Sequence, residues 1–462
     1  MSSKKKRPNI LLILLDQLRA DYLGYAQAVV HTPHINRLAK QGVTFTQAVC
    51  NSPACVPSRA SMMSGRYPHR INVLNNDQHF PLNQKTYMQE LRQVGYQVAG
   101  IGKLELHKSD LQYGEKGNKP INYHFGYTDP FETEGKMSSA KSLINNSQEK
   151  LLTGPYQYYL EENGLLQTYI EDYREREKRP PWYSSCSILE EQDRIDSFVG
   201  RQACSFIEEA SSENPWFCSV NFLSPHDPWD ASKRYYDMYK DTLFHPSIPK
   251  KQTGKPSWII RRQKDHSTNM TEKALNEVKR HYVAMITQLD EWVGTLVDRI
   301  NKRHEERETI ILLASDHGEM LGDHGLFRKN VMYEGAVRVP LIISDPTETR
   351  IGGTKNGELV ELVDLFPTIL EMAGITGDLH NIDGKSLYPI MKGEERGQHK
   401  SFQYAQWNQI KMVRTHQYKL IEHGDQGMEL FDLQADHMEL NNLVDEREEI
   451  VYSLTQLLNQ LA

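Results

Sequence analysis

Asn9-Ile10-Leu11-Leu12-Ile13-Leu14-Leu15 runs without a break in hydrophobicity into Asp16-Gln17. A strand wet on one face alternates apolar and polar; this run is apolar on both, so it belongs in a parallel or mixed sheet covered by helices. It is also far shorter than the ~20 apolar residues of a membrane span. Residues 97–101, 216–223, 309–314 and 339–344 read the same way. Between them lie helical patterns. Thr32-Pro33 opens one, with Ile35, Leu38 and Ala39 on its apolar face and Gly42 as its stop. Residues 275–300 form a long amphipathic pattern, and residues 360–373 another, closed by Gly374. Strands alternating with helices define an α/β layer architecture: a mixed, largely parallel central sheet between helices.

Further out the pattern changes. After Gly374 come short apolar pieces at 412–413, 418–421 and 428–431, then a helix over Glu448–Leu461. These predict a smaller α+β subdomain with an antiparallel sheet, so the chain divides into residues 1–375 and 376–462. Residues 127–193 are polar, aromatic-rich and irregular, with a helical stretch at 156–176 and the turn Pro180-Pro181-Trp182-Tyr183. This segment reads as an insertion on the working edge of the sheet.

Composition excludes several functions. A net charge of −7 leaves no basic excess for a nucleic-acid footprint. Lys4-Lys5-Lys6-Arg7 reads as a solvated tail. No apolar stretch suits a membrane, and the basic start leads into a short apolar run with no small-residue cleavage site, so the expected location is cytoplasmic. Five cysteines without regular spacing argue against a disulfide framework, and Cys218, in an apolar run, reads as an inert core residue.

Chemistry gathers where the strands end. Asp16-Gln17, Gly102-Lys103, Ser224-Pro225-His226 and Ser315-Asp316-His317-Gly318 each follow an apolar run. In open α/β sheets ligands bind beyond the carboxyl ends of the strands. Asp16, Gln17, Asp316 and His317 then form a candidate site for one divalent metal, since carboxylate, amide and imidazole donors suit calcium, magnesium or manganese. In Cys55-Val56-Pro57-Ser58-Arg59, Pro57 suits a first helical turn and Gly65 the stop, which places Cys55 at a helix N-terminus where an anion is favoured. A cysteine there could act as a low-pKa nucleophile in its own right.

Cys-x-Pro-Ser-Arg followed by Gly65-Arg66-Tyr67-Pro68 resembles the two-part signature of the type I sulfatases, within the alkaline phosphatase-like superfamily. Arg7-Pro8-Asn9-Ile10, Thr32-Pro33-His34-Ile35-Asn36-Arg37-Leu38, Val363-Asp364-Leu365-Phe366-Pro367-Thr368 and Glu429-Leu430-Phe431-Asp432-Leu433 extend the likeness over nearly the whole chain. The resemblance implies an alkaline phosphatase-like fold and a sulfatase that hydrolyses an aryl or carbohydrate sulfate monoester through a covalent sulfo-enzyme. It implies that Cys55 is oxidised to formylglycine by a formylglycine-generating enzyme, with Arg59 stabilising the nucleophile. Lys103, Lys329 and His226 resemble the family's cationic ring around the sulfate, and His226 or Lys329 would protonate the leaving oxygen. Asn76 is a weaker candidate for contact with the transferred group.

Two departures from the family pattern matter. Many members have a second Asp where Gln17 stands and Asn where His317 stands. Only Asp16 and Asp316 then bring formal negative charge, which keeps calcium as the leading expectation but makes manganese, iron or zinc more competitive. The same pattern is similar to that of phosphonate monoester hydrolases, so a phosphonate monoester or phosphodiester hydrolase is the alternative. Second, Glu105 stands where the family usually has His, with His107 two residues on. In extended backbone both point the same way, and either could take the proton from the formylglycine hydrate. A binding protein that has lost its chemistry would lack the signature or the ligands, and both are present. Trp229 is a candidate for stacking on the organic part of a small-molecule or saccharide substrate, while Trp182 and Tyr183 read as ordinary packing. The insertion and the C-terminal helix offer surfaces on which a homo-oligomer could form.

Overall fold

Every residue of the opening run is buried, in strand β1 (Asn9–Asp16). The structure, a computed structural model, describes residues 6–107, 113–145, 151–180, 182–251, 253–303, 305, 307–348, 352–376, 381–394 and 398–461. Lys4, Lys5 and Pro181 lie outside the described residues. The strands that join β1 are β2 (Val43–Val49), β3 (Gln97–Gly102), β4 (Asp129–Glu132), β5 (Trp216–Pro225), β6 (Thr309–Ser315), β7 (Leu341–Ser344) and β8 (Thr354–Glu361). They form an eight-stranded sheet in the order β4-β3-β5-β1-β6-β7-β2-β8. β1 pairs in parallel with β5 and β6, and β7 alone runs against its neighbours.

The period-two geometry of β1 builds two cores at once. Ile10, Leu12 and Leu14 enter the cluster beneath the helices Cys55–Ser64, Tyr87–Gln93 and Leu365–Met372. Leu11, Ile13 and Leu15 enter the opposite cluster, under Pro33–Gln41, Ile195–Glu209 and Glu272–Lys302. Full burial of each such side chain contributes about 1.5–3 kcal/mol, so β1 stabilises both faces of the sheet. No described helix is long and apolar enough to cross a membrane.

A second, antiparallel sheet contains β9 (Gln403–Trp407), β10 (Ile410–Arg414), β11 (Tyr418–Glu422) and β12 (Met428–Asp432) in the order β12-β11-β10-β9. Leu454 and Leu458 of the helix Glu448–Leu461 pack on Val413, Leu420 and Leu430. The mixed sheet and the small antiparallel one are those the sequence predicts.

Several local readings need correction. β2, β4, β8 and β9 escape the apolar-run criterion: β2 carries Thr44, Thr46 and Gln47, and β4 and β8 are polar edge strands. Because β4 belongs to the main sheet, the segment read as an insertion from 127 begins inside the sheet. Residues 156–176 are two helices, Pro155–Glu162 and Leu166–Glu177, parted at Gly164, whose φ is 68°. Residues 360 and 361 end β8 instead of opening a helix.

The two sheets meet at a buried carboxylate. Glu361 Oε1 accepts hydrogen bonds from Asn51 Nδ2 (3.0 Å) and Tyr404 N (2.8 Å), and Oε2 accepts from Tyr67 Oη (3.0 Å) and Lys400. Gln406 N donates to Asn51 O at 2.9 Å and Asn51 Nδ2 donates to Tyr404 O at 2.9 Å, so the loop entering the helix Cys55–Ser64 is pinned by the small subdomain. Glu361→Ala should therefore lower stability by about 3 kcal/mol, because it strands buried donors and part of the Lys400 charge. Urea unfolding would measure this; an unchanged midpoint would show that the carboxylate does not join the two parts.

Candidate active site

Strand ends and sharp turns bring the functional side chains together. Gln17 follows β1 with φ 69°, and Glu105 (φ 56°) and Arg328 (φ 65°) also lie in the left-handed region, at a cost of about 1–3 kcal/mol each. Gly102, which ends β3 at φ 95°, must be glycine: a Cβ there would lie 2.2 Å from Asn221 O. Cys55 opens its helix after the extended Ala54, and Val56 N donates to Asn76 Oδ1 at 3.0 Å. At the far end Gly65 takes φ 68°, and a Cβ there would meet Phe366 at 2.9 Å.

One turn along the helix, the fully buried Arg59 reaches three strand ends. Its Nε donates to Asp316 Oδ2 (2.9 Å), its Nη1 to Asn221 Oδ1 (3.2 Å) and Lys103 O, and its Nη2 lies 3.8 Å from Asp16 Oδ2. Lys103 Nζ contacts Asp16 Oδ2, and lies 3.4 Å from Cys55 Sγ and 3.5 Å from Glu105 Oε2. Lys329 Nζ sits 3.2 Å from the same sulfur and 2.9 Å from Gln17 Oε1, and His317 Nε2 is 3.2 Å from Sγ. Burial alone would push the Cys55 thiol up, but Lys103, Lys329 and His317 outweigh it and hold the thiol well below its usual range. Burial likewise opposes ionisation of Asp16, and Lys103 reverses the effect, leaving its carboxyl well below the ordinary carboxylate range.

Ligand atoms of Asp16, Cys55, Asp316 and His317 all lie within 4.8 Å of one another. Asp16 Oδ1 is buried and accepts no hydrogen bond from any described residue, and His317 Nε2 stands 3.7 Å from it. An acceptor left open between hard donors and an imidazole fits a divalent cation. Gln17 lies beside this set with its amide engaged: Oε1 accepts from Lys329, and Nε2 donates to Glu319 Oε2 (2.6 Å) and Asp227 Oδ1 (3.4 Å).

The cavity over Cys55 measures about 300 Å³ and is lined by Asp16, Asn76, Lys103, Glu105, His226 and Lys329, among others. His226 Nδ1 lies 2.7 Å from Asp227 O, which places a proton on Nδ1. His107 does not join Glu105 there. The left-handed turn at Glu105 breaks the extended chain, and the His107 ring stacks on His79 with centroids 4.5 Å apart. Trp229 is also misplaced by the sequence reading: it is fully buried with its ring 5.6 Å from Phe327, so it presents no face to a substrate. Trp182 packs against the core as read.

Lys136, Asp227, Arg328 and Glu319 are absent from the sequence-derived set. Lys136 Nζ donates to Pro228 O (2.7 Å) and pairs with Asp230 (2.5 Å), fixing the loop that carries His226. Arg328 Nη2 pairs with Asp227 Oδ2 at 2.9 Å. Asp227 and Arg328 adjoin residues that were singled out, so adjacency could have found them; Lys136 sits in a segment with no pattern.

A cysteine at a helix N-terminus, above a buried donor set at the carboxyl edge of a largely parallel sheet, is the arrangement expected of a hydrolase site of the alkaline phosphatase-like kind. The chain belongs to the sulfatase family: the family model described as Sulfatase matches residues 8–375, and that for the N-sulphoglucosamine sulphohydrolase C-terminal region matches residues 322–462. It is 30% identical over 470 residues to the choline-sulfatase of Rhizobium meliloti, covering 95% of this chain and 83% of that protein. It is 29% identical over 467 residues to an arylsulfatase of Clostridium perfringens, covering 96% and 91%. In fold it matches the phosphonate monoester hydrolase of Agrobacterium radiobacter with a TM-score of 0.80 at 21% identity, covering 98% of this chain and 95% of that one.

The depressed thiol gives a direct test. In metal-free protein whose residue 55 remains cysteine, alkylation of Cys55 by iodoacetamide should already be at its plateau at pH 7 and decline only below it. Lys329→Met should raise the folded thiol's pKa and move the fall in rate to higher pH, with Lys103 and His317 still holding it down. Peptide mapping reads the rate at Cys55. A wild-type rate that rises in proportion to hydroxide above pH 7 would show that the lysines do not stabilise charge at this atom.

Proposed function

We propose that the chain hydrolyses organic sulfate monoesters (aryl or carbohydrate sulfates) at residue 55, through a covalent sulfo-enzyme. The observation that carries this is the placement of Cys55 Sγ, buried beneath the cavity it lines, against Lys103, Lys329 and His317. Membership of the sulfatase family and the names of the choline-sulfatase and arylsulfatase relatives support it.

Residue 55 acts as formylglycine, made by a formylglycine-generating enzyme, and its hydrate supplies two hydroxyls on one carbon; Sγ stands in for the attacking oxygen. A divalent metal, with calcium first in expectation, supplies Lewis-acid polarisation when held by Asp16, Asp316 and His317 with Gln17 alongside. Lys103 and Lys329 offset charge that builds on the oxygens of the transferred group. Arg59 acts one step back: buried beneath the donor set, it fixes Asp316 and Asp16. With Nδ1 committed to Asp227, His226 keeps Nε2 for the leaving oxygen. Glu105, which lines the cavity where His107 does not, takes the proton from the second hydroxyl.

The test compares kcat/KM for an aryl sulfate and the matching aryl phosphonate monoester on one metal-loaded preparation. The sulfate should be strongly preferred, and Cys55→Ala should fall to background with an unchanged fold. Preference for the phosphonate would replace this function with that of a phosphorus-ester hydrolase, the reading that Gln17 and His317 favour. Asp316→Ala should lower bound metal by elemental analysis; full retention would move the metal elsewhere.

A further inference from the structure

Beside the cavity over residue 55 lies a second hollow of about 390 Å³, and the two share Met137, Asp227 and Arg328 in their walls. Its outer wall comes from the segment between β4 and β5: Lys141, Tyr173, Arg176, Arg179 and Tyr183. A hollow that opens beside the reacting group is where the organic part of an ester comes to rest.

Cations outnumber acids in this annexe: Lys141, Arg176, Arg179 and Arg328 line it against two carboxylates. Its acids are Glu177 and Asp227, and Asp227 is already committed to Arg328, His226 and Gln17. Lys141 and Arg179 are exposed and make no ion pair with any described residue. Arg176, nine-tenths buried in the wall, pairs with Asp172 at 2.7 Å, yet its Nη1 has no partner among the described residues. Tyr183, whose ring face would otherwise suit a cationic ligand, is covered by the Arg179 guanidinium, 5.5 Å from its centroid. A quaternary ammonium would meet repulsion here, and an anion would meet open cations.

We propose that the physiological substrate is a sulfate ester whose leaving group carries a second anionic group, a carboxylate or another sulfate, held in this annexe by Lys141 and Arg179. The inference rests on the sulfate-ester reading above and adds the class of leaving group, against a cationic alcohol such as choline.

The experiment uses aryl sulfates matched in leaving-group acidity that carry a neutral amide, a carboxylate, a sulfonate or a trimethylammonium group on the ring. At low ionic strength kcat/KM should be roughly tenfold higher for both anionic esters than for the amide, and lowest for the trimethylammonium ester, the size expected of two partly exposed charge contacts. The Lys141→Ala/Arg179→Ala double variant should lose that preference while it turns over the amide as the wild type does; both side chains are exposed, so the fold is not at stake. A preference for the carboxylate alone would assign a uronate-type partner, and for the sulfonate alone a second sulfate. Equal rates for neutral and anionic esters, or a preference that survives in the double variant, would overturn this inference and leave the sulfatase reading standing. No turnover of any sulfate would overturn both.

Discussion

Charge buried without water must be matched by charge, and here that requirement organises the molecule. Asp16, Arg59 and Asp316 are wholly inaccessible and Lys103 nearly so. Each leans on the next, from Asp316 to Arg59 to Asp16 to Lys103, and the last points at residue 55. Removing one partner of a buried pair is far more costly than removing an exposed one, about 3–5 kcal/mol, because the other is left uncompensated. The four side chains come from four different segments: the end of β1, the turn beyond β3, the turn beyond β6, and the helix after β2. Satisfying them fixes how these segments meet, and therefore where residue 55 stands.

The small subdomain is part of this arrangement. Lys419, fully buried on β11, donates to Met332 O (3.1 Å) and pairs with Glu334 (2.6 Å) and Glu439 (2.7 Å). Arg414 on β10 reaches Glu334 at 3.0 Å, and Lys255 pairs with Glu429 at 2.8 Å beneath the Tyr333 hydroxyl. Residues 332–334 lie only a few positions beyond Lys329 in the chain. The second sheet thus holds the segment that presents one of the two lysines at the sulfur, while its contacts through Asn51 and Glu361 hold the segment that presents the sulfur itself.

Sequence alone carried far where one physical condition was decisive. A run that is apolar on both faces has few places to go, so β1, β3, β5 and β6 were legible, and the polar residues directly after them were brought together as expected. Legibility ended where a strand was polar or lay at an edge, as with β4 and β8. It ended too where backbone direction mattered: strict alternation would have aimed Glu105 and His107 the same way, and one left-handed residue separated them. An aromatic side chain carries no label for inside or outside, so Trp229 read as a stacking platform and proved to be core. Lys136 could not be found at all, since its role depends on a loop ninety residues away in sequence, at His226.

The helix Cys55–Ser64 is buried along its length, Arg59 included, and its Cys55 end borders the cavity. Any enzyme that recognises Cys55, Pro57 and Arg59 as a linear motif has to meet them before the chain closes around them. The conversion of residue 55 proposed above would then have to come before folding is complete. A thiol that missed it would stay in place in a folded protein, and refolding alone would not change it.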